Sequence, residues 1–341
     1  MMDSKCIVKI GVIGAGGMAA DIHLPSLARI SGAKVCAICD IEIDKAEKLA
    51  EKFSIAKTYS LYRKMIAENE LDAVFVLVQP DQTFRITLDC LNAGLDVFTE
   101  KPAGVTLFQA QTLQRKAHEK NAVLQVGLNR RYIPLLSQIV NRMKRETNIN
   151  QINAYFVKHA DTTDYYNGCS TFFFCDVIHC IDTLLWIADS KPIKAATIEK
   201  QYNNKVSSAW NSVVEFENGI TGILQSNYAT GGRAHGIEIF SETMSAYVDL
   251  GFGIAGCSAE LIDHKTNMFS MASSGSQQAS NVEKIDGIAL AGDENYYVYY
   301  GYLAQDEAFI KSVVDRSKPL SGIDESVDTI ALIDMLLANT I

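Results

Sequence analysis

The sequence predicts an α/β protein in which a doubly wound parallel sheet is followed by an α+β domain with a large, mostly antiparallel sheet. Apolar runs alternate with helical segments up to about residue 128, as in parallel sheets built from strand–helix–strand units. The first apolar run breaks into a cluster of glycines, and consecutive strand-like segments replace the alternation later in the chain. With 341 residues, 48% of them hydrophobic, the chain is too long for one ordinary core. We expect one domain over residues 1–125 and a second over 126–341, whose closing helices can pack back on the first.

The glycine cluster follows a strand predicted over residues 7–13 and opens a helix predicted over 18–30. Its pattern is G-x-G-x-x-A, formed by Gly14, Gly16 and Ala19. In this pattern the first glycine makes the turn, the second lets the backbone approach a pyrophosphate, and the small third residue lets helix and strand pack closely. The sequence therefore predicts a dinucleotide site, with the phosphates at the helix N-terminus. Its residues are Gly14, Ala15, Gly16, Gly17 and Met18.

The next strand, predicted over residues 33–39, ends on an acid, Asp40, which lies 24 residues beyond Gly16. A carboxylate near this spacing accepts hydrogen bonds from an adenosine ribose. It also repels a 2′-phosphate, and no arginine follows nearby, so NAD is favoured over NADP. The alternative is a glycine turn in an ordinary α/β protein, with Asp40 as a helix cap.

The rest of the first domain continues the alternation. Strands are predicted over 71–78, 95–99 and 122–128, and helices over 43–53, 61–67, 82–93 and 106–121. Ser60 is a candidate N-cap, Gly94 suits a left-handed helix end, and Thr106 with Gln109 forms a capping box.

Two of these strands end in residues suited to ligand contact. Gln79 and Pro80 turn the chain after the third strand, at the sheet edge where open α/β sheets bind ligands. The fourth strand ends in Glu100-Lys101-Pro102, and a lysine there can hydrogen-bond a substrate hydroxyl and shift its proton. From spacing alone, a surface lysine on a turn is an equally good interpretation.

Composition excludes several other classes of function. A net charge of −9 without a basic block argues against nucleic acid and anionic membranes as partners. No apolar stretch approaches the ~20 residues that span a bilayer, and the first residues leave no room for a signal peptide before the first strand, so we expect a cytoplasmic protein. The eight cysteines are expected to be reduced. Cys36 and Cys39 spell C-x-x-C inside a strand, where they face opposite sides, and no metal site is predicted.

The second domain is expected to begin with a helix over 134–145 and a strand over 150–159. A largely buried helix is predicted over 171–188, followed by strands over 195–202, 207–216, 220–228, 236–240 and 245–250. Asn218-Gly219 is a strong hairpin signal. Residues 272–283 are predicted to form a polar loop, and helices over 302–315 and 325–338 close the chain.

Within the buried helix, Asp176, His179 and Asp182 recur every three residues. Residues at this spacing share one helix face. Buried ionisable groups are costly unless they are paired. The three therefore form either a satisfied structural network or a working site, and spacing slightly favours the structural alternative.

Several segments resemble the Gfo/Idh/MocA family of nicotinamide-dependent oxidoreductases, with their Rossmann-type N-terminal domain. The resemblance rests on GVIGAGGMA, His23-Leu24-Pro25, the VLVQPD turn, FTEKP and VGLNRRYIP. It implies that Lys101 contacts the nicotinamide ribose and the substrate and that Glu100 lies near the cofactor. Gln79 and Phe84 stand where the family often has Thr and His.

The resemblance also implies a catalytic role for His179. The family's acid position is occupied by Cys175, with Asp176 one residue late, a rotation of about 100° on a helix. The glycines that usually precede this motif are replaced by phenylalanines, so we expect a different substrate pocket.

The function expected from the resemblance is reversible hydride transfer between nicotinamide and a secondary alcohol or ketone of a sugar, cyclic polyol or related small molecule. His179 would act as the base, Lys101 would polarise the oxygen and Asp176 would orient the histidine. The family's open sheet face implies a homodimer or homotetramer. The alternatives are a non-catalytic NAD-binding regulator and an NAD-dependent glycosidase.

Overall fold

The computed structural model describes residues 7–160, 165–202, 206–251, 257–264 and 281–341. The chain folds into two compact units, and each unit is made of three separate segments of the sequence. The first comprises Met1–Asn129, Tyr165–Cys175 and Tyr300–Ala331, and the second comprises Arg130–Asp164, Asp176–Tyr299 and Leu332–Ile341.

The first unit is built on a parallel sheet of six strands in the order β3-β2-β1-β4-β5-β6. This is the order of a doubly wound dinucleotide-binding fold, which confirms the predicted fold class. Its strands are β1 (Val8–Ile13), β2 (Ala33–Cys39), β3 (Lys57–Tyr59), β4 (Ala73–Val76), β5 (Asp96–Thr99) and β6 (Leu124–Val126). β4 and β5 are buried along their whole length, as expected of strands covered on both faces.

Helices cover this sheet, and they include one from near the end of the chain. They are α1 (Leu24–Leu27), α2 (Ile43–Phe53), α3 (Tyr62–Ala67), α4 (Pro80–Asn92), α5 (Leu107–Lys120) and α11 (Tyr302–Asp315). Phe309 of α11 is fully buried and its ring meets those of Phe75 and Phe98 at 5.3 and 5.9 Å between centroids. The core of the first unit is therefore completed by residues more than 200 positions away in the chain.

The second unit contains a mixed, mostly antiparallel sheet of eight strands in the order β14-β13-β12-β11-β7-β10-β9-β8. The strands are β7 (Ile149–His159), β8 (Pro192–Lys200), β9 (Ala209–Phe216), β10 (Thr221–Asn227), β11 (Ala229–Ser241), β12 (Met244–Asp249), β13 (Ser258–Asp263) and β14 (Asn281–Asp286). β7 and β10 form its parallel pair. The predicted hairpin at Asn218-Gly219 joins β9 to β10, with Gly219 at a φ of +85°.

Most of the remaining α-helices lie in the second unit. The remaining α-helices are α6 (Pro134–Glu146), α7 (Phe172–Cys175), α8 (Ile178–Ala188), α9 (Gly287–Ala291), α10 (Tyr296–Tyr299) and α12 (Ile323–Ala338). No helix in the described part of the chain is both long and apolar enough to cross a membrane.

The single helix predicted over 171–188 is wrong, because residues 176 and 177 form a turn between α7 and α8. Asp176 and Val177 lie between the two helices, and the Asp176 carbonyl accepts from the His179 amide at 3.3 Å. The expected stripe of Asp176, His179 and Asp182 on one helix face therefore does not form, and the 100° rotation between Cys175 and Asp176 does not apply.

The prediction of a polar loop over 272–283 is wrong at its end, since β14 begins at Asn281; the earlier part lies outside the described residues. β14 is exposed along nearly its whole length. β14 is formed by backbone pairing with β13. Because an exposed strand does not need alternating apolar residues, no pattern in the sequence indicated it.

Helix ends were predicted with mixed success. Thr106 caps α5 as expected, its hydroxyl accepting from the Gln109 amide at 3.2 Å, and Gly94 has a φ of +82°. Ser60 is not the cap of α3, because that helix starts at Tyr62 and its N-cap residue is the extended Leu61.

Candidate active site

The glycine turn is fixed between two neighbouring strands. The Gly14 amide donates to the Cys39 carbonyl at 2.8 Å, and the Leu77 amide donates to the Ile13 carbonyl at 2.8 Å. Gly14 has a φ of +104°, and a Cβ there would lie 2.3 Å from the Leu77 carbonyl oxygen. Only glycine fits this position, both conformationally and sterically.

Gly16 borders open space instead, since a Cβ built there has no neighbour within 4 Å. Ala19, the third position of the pattern, is fully buried against the sheet. The turn therefore leaves room beside its backbone where a pyrophosphate needs it, and these residues fit a dinucleotide.

The segment after the turn is a π-helix, Met18–His23, rather than the α-helix predicted over 18–30. Its last hydrogen bond runs from the Leu24 amide to the Ala19 carbonyl, five residues back. Pro25 follows and has no amide hydrogen, and α1 ends at Leu27. Such wide turns are rare and are frequent at functional sites.

Asp40 lies at the carboxyl end of β2 and contacts the turn directly. One carboxylate oxygen accepts from the Ala15 amide at 2.7 Å and the other from the Glu42 amide at 2.9 Å. The carboxylate is thus oriented beside the glycine turn. This placement suits a ribose contact.

The turn after β4 leads directly into α4. Pro80 is the first residue of that helix, two residues before the predicted start, and Gln79 is its extended N-cap residue. The Gln79 carbonyl accepts from the Thr83 hydroxyl at 3.2 Å. A cofactor contact by Gln79 or Pro80 remains a prediction.

Glu100 and Lys101 follow β5 at the same sheet edge. The Glu100 amide donates to the Val76 carbonyl at 2.9 Å, and a Glu100 carboxylate oxygen accepts from the Lys101 amide at 3.1 Å. The Lys101 ammonium group donates to the backbone carbonyl of Cys175 at 2.5 Å. Lys101 is therefore held by the main-chain oxygen of Cys175, the residue that the resemblance places at the family's acid position.

A histidine that sequence reasoning left without a role lies under this edge. His23 is fully buried, with its Nε2 3.2 Å from a Glu100 oxygen and its Nδ1 3.0 Å from an oxygen of Asp306 in α11. Asp306 is separated from His23 by 283 positions, so no local pattern could have paired them. The only sequence signal was the His23-Leu24-Pro25 motif itself.

In the second unit, His179 lies in the first turn of α8 and is 7% exposed. Its carbonyl accepts from the Thr183 hydroxyl at 2.7 Å. Asp176 forms an ion pair with Lys158 of β7 at 2.7 Å, a partner that the spacing did not indicate. The proposed orienting role of Asp176 remains a prediction.

Asp182 takes part in a buried ion pair. Its carboxylate receives hydrogen bonds from the Arg131 guanidinium at 2.6 and 2.9 Å, and both side chains are almost completely buried. Arg131 occurs in the NRRY segment just after the first parallel sheet. Asp182 thus has a structural partner. Within the described ranges, no group of three or more His, Cys, Asp or Glu side chains has a metal-binding arrangement.

The described cysteines are thiols rather than disulfides. Burial, aided by the nearby Asp40 carboxylate, raises the pKa of Cys39 to about 12. A thiol with such a pKa is unreactive. The environment of Cys39 therefore does not favour a redox pair with Cys36.

The order of the parallel strands and the open glycine turn define a dinucleotide-binding domain of the Rossmann class. Residues 8–128 match the model of the Gfo/Idh/MocA family, described as an oxidoreductase family with an NAD-binding Rossmann fold. This match confirms the resemblance over residues 8–128 and the expected class of cofactor.

Relatives and solved structures agree with this assignment. Inositol 2-dehydrogenase of Salmonella paratyphi B is 31% identical over 195 residues, which cover 55% of this chain. The match spans 57% of that relative's length. A dehydrogenase from Chromobacterium violaceum has a TM-score of 0.84 at 17% identity, covering 98% of this chain and 95% of its own.

A UDP-N-acetylglucosamine 3-dehydrogenase from Acidithiobacillus ferrooxidans has a TM-score of 0.80 at 17% identity, covering 98% of this chain and 97% of its own. At such identities the two solved structures show a shared fold.

Proposed function

We propose that this chain is an NAD(P)-dependent dehydrogenase or reductase that acts on a secondary alcohol or ketone of a sugar, cyclic polyol or related small molecule. The observation that carries the proposal is Lys101, which follows a strand of the dinucleotide-binding sheet and whose ammonium group is fixed by the Cys175 carbonyl. Inositol 2-dehydrogenase, by its name, acts on a cyclic polyol, and this supports the substrate class.

Bound NAD(P) would supply a hydride acceptor or donor at its nicotinamide. Gly14 to Met18 would hold the phosphates and Asp40 the ribose. Because Asp40 is an acid, NAD is the favoured cofactor.

The protein's own residues would manage the proton that accompanies the hydride. The Lys101 ammonium group would donate a hydrogen bond to the substrate oxygen and stabilise negative charge as it develops. His179 would take the hydroxyl proton during oxidation, since an imidazole ordinarily titrates near neutral pH. Asp176, which lies in the short turn just before His179, would orient the His179 imidazole.

Turnover on a panel of sugars, cyclic polyols and their ketones, followed by NADH absorbance, tests the proposal. Lys101→Ala is expected to lower kcat by about 100-fold or more, the usual scale of a lost electrostatic or acid–base contribution. NADH binding is expected to weaken much less than kcat falls, because the phosphate and adenosine-ribose contacts remain when the expected Lys101 contact with the nicotinamide ribose is lost. Lys120→Ala, an exposed lysine at the end of α5, is the matched control and should leave turnover unchanged.

Two alternatives predict different results in the same assays. Normal NADH binding without turnover of any candidate would favour a regulator. A released sugar without net NADH would indicate an NAD-dependent glycosidase.

We also propose that the open face of the large sheet joins copies of this chain. Apolar side chains from four strands are exposed on it, namely Ile198, Val213, Tyr247 and Val282. Val213→Asp should therefore reduce the molar mass measured by light scattering. Ile41→Asp, at an exposed residue of the first unit, should not. Equal masses for all three proteins would contradict the proposal.

A further inference from the structure

A buried histidine lies between two carboxylates just beyond the glycine turn. His23 is enclosed by the rings of Phe75 and Phe98, at 5.5 and 5.0 Å between centroids, and by Tyr302 at 6.2 Å. Both ring nitrogens are within hydrogen-bonding distance of a carboxylate oxygen, Nδ1 of Asp306 and Nε2 of Glu100. A neutral imidazole donates from only one nitrogen, so two ionised carboxylates, one at each ring nitrogen, call for the doubly donating imidazolium.

The charges around His23 favour the same form. Burial opposes the imidazolium, but the carboxylates of Asp306 and Glu100 outweigh this effect and raise the pKa of His23 to about 9. These are the two charged groups that face the ring, one from α11 and one from the end of β5.

Glu100 links this histidine to Lys101. One Glu100 oxygen receives the His23 contact and the other accepts from the Lys101 amide at 3.1 Å. Gly127 makes room for the carboxylate, because a Cβ at that position would lie 3.1 to 3.2 Å from its atoms. The Glu100 carboxylate is therefore held by His23 and by the Lys101 amide, in a space that the absence of a side chain at residue 127 leaves open.

We propose that His23 is a positioning residue for Lys101: as an imidazolium anchored on Asp306, it fixes the Glu100 carboxylate and thereby the Lys101 backbone and the direction of its ammonium group. The expected effect of this positioning on catalysis rests on the proposed hydride-transfer function. The chain of contacts runs from the end of the π-helix to the lysine without passing through cofactor or substrate.

The test measures how fast Lys101 is modified by reductive methylation in the full-length protein, read by peptide mass spectrometry. This readout needs no substrate. His23→Asn can place its amide where Nδ1 lies and so keeps a contact to Asp306 alone, whereas His23→Gln can reach the Nε2 position and keeps the contact to Glu100. Asp306→Asn is the matched variant, because it removes the negative charge beside Nδ1 and leaves the His23 contact to Glu100 in place. Gly127→Ala places a methyl group against the Glu100 carboxylate and leaves His23 unchanged.

We expect Lys101 to react about tenfold faster in His23→Asn, the scale of one hydrogen bond to a charged group. His23→Gln should restore most of the protection, Asp306→Asn should have the smaller effect, and Gly127→Ala should increase the reactivity. Once a substrate is found, kcat should fall in the same order, with the Kd for NADH nearly constant.

Thermal unfolding of each variant separates positioning from loss of stability. Equal reactivity of Lys101 in His23→Asn and Asp306→Asn would overturn the inference, as would a failure of His23→Gln to improve on His23→Asn. Unchanged reactivity in Gly127→Ala would do the same. Absence of turnover in the wild-type protein would reject the proposed function but leave the labelling result to decide the positioning role.

Discussion

The Asp40 carboxylate accepts a hydrogen bond from the Ala15 amide at 2.7 Å. The residue expected to choose between NAD and NADP therefore also orients the glycine turn. Its second oxygen accepts from the Glu42 amide, so the negative charge stays fixed at this edge.

We expect the wild-type protein to bind NADH at least about tenfold more tightly than NADPH, equivalent to roughly 1.4 kcal/mol, because Asp40 repels the 2′-phosphate. Asp40→Asn removes the charge and keeps one side-chain acceptor, so it should reduce the difference between the affinities for NADH and NADPH. Fluorescence titration with both cofactors measures this. Equal affinities in the wild type would contradict the role of Asp40.

Two glycines of the turn should respond differently to the same substitution. Gly14→Ala forces a Cβ to within 2.3 Å of the Leu77 oxygen at a positive φ, and should cost about 2 kcal/mol or more of folding free energy. Gly16→Ala meets no protein atom within 4 Å, so its Tm should stay near that of the wild type while NADH binding weakens. Calorimetry and cofactor titration test the pair, and a Gly16→Ala protein that binds NADH normally would refute the phosphate site.

Stability should depend on pH through His23. Its pKa is raised from 6.5 to about 9 in the fold, so its contribution is complete below pH 6.5 and is lost as the pH rises through about 9. Denaturant unfolding between pH 6.5 and 9.5 should show a steeper fall for the wild type than for His23→Gln. Parallel curves would mean that His23 is not charged in the folded protein.

Removing the buried partner of Arg131 should be costly. Asp182→Asn leaves the guanidinium buried against an amide instead of a carboxylate, with an expected loss of about 3 kcal/mol or more of folding free energy. Asp189→Asn is the control, since Asp189 is 83% exposed and pairs with Lys144 at the surface. A comparably small loss for both variants would show that the Asp182 pair contributes little.

Features set by neighbouring residues were predictable from the sequence. The glycine turn, the strand that ends at Asp40 and the Thr106 cap all depend on contacts close in sequence or on a fixed pattern of burial. The break between α7 and α8 was not predictable, because residues 171–188 are mostly apolar and contain no glycine or proline to mark it. The ion pair of Asp176 with Lys158 was not predictable either, because Lys158 belongs to a strand and helical spacing relates only residues of one helix.

The residue types of the site were easier to predict from the sequence than the contacts between residues that are far apart in the chain. Lys101 could be chosen because it follows a strand in a Glu-Lys-Pro motif, but its partner is a backbone carbonyl at residue 175, and backbone acceptors carry no residue-type signal. The contact of His23 with Asp306 spans 283 positions. Only the fold brings such residues together.

The contribution of α11 to the first sheet bears on how the protein is made. Phe309 and Asp306 belong to the first compact unit, yet they emerge from the ribosome after nearly the whole second unit has been translated. Until then Phe75, Phe98 and His23 lack the aromatic and acidic partners that cover them. A nascent or recombinant fragment that stops at residue 129 should consequently require chaperones or aggregate, whereas co-expression of a separate peptide spanning residues 300–331 should rescue its solubility.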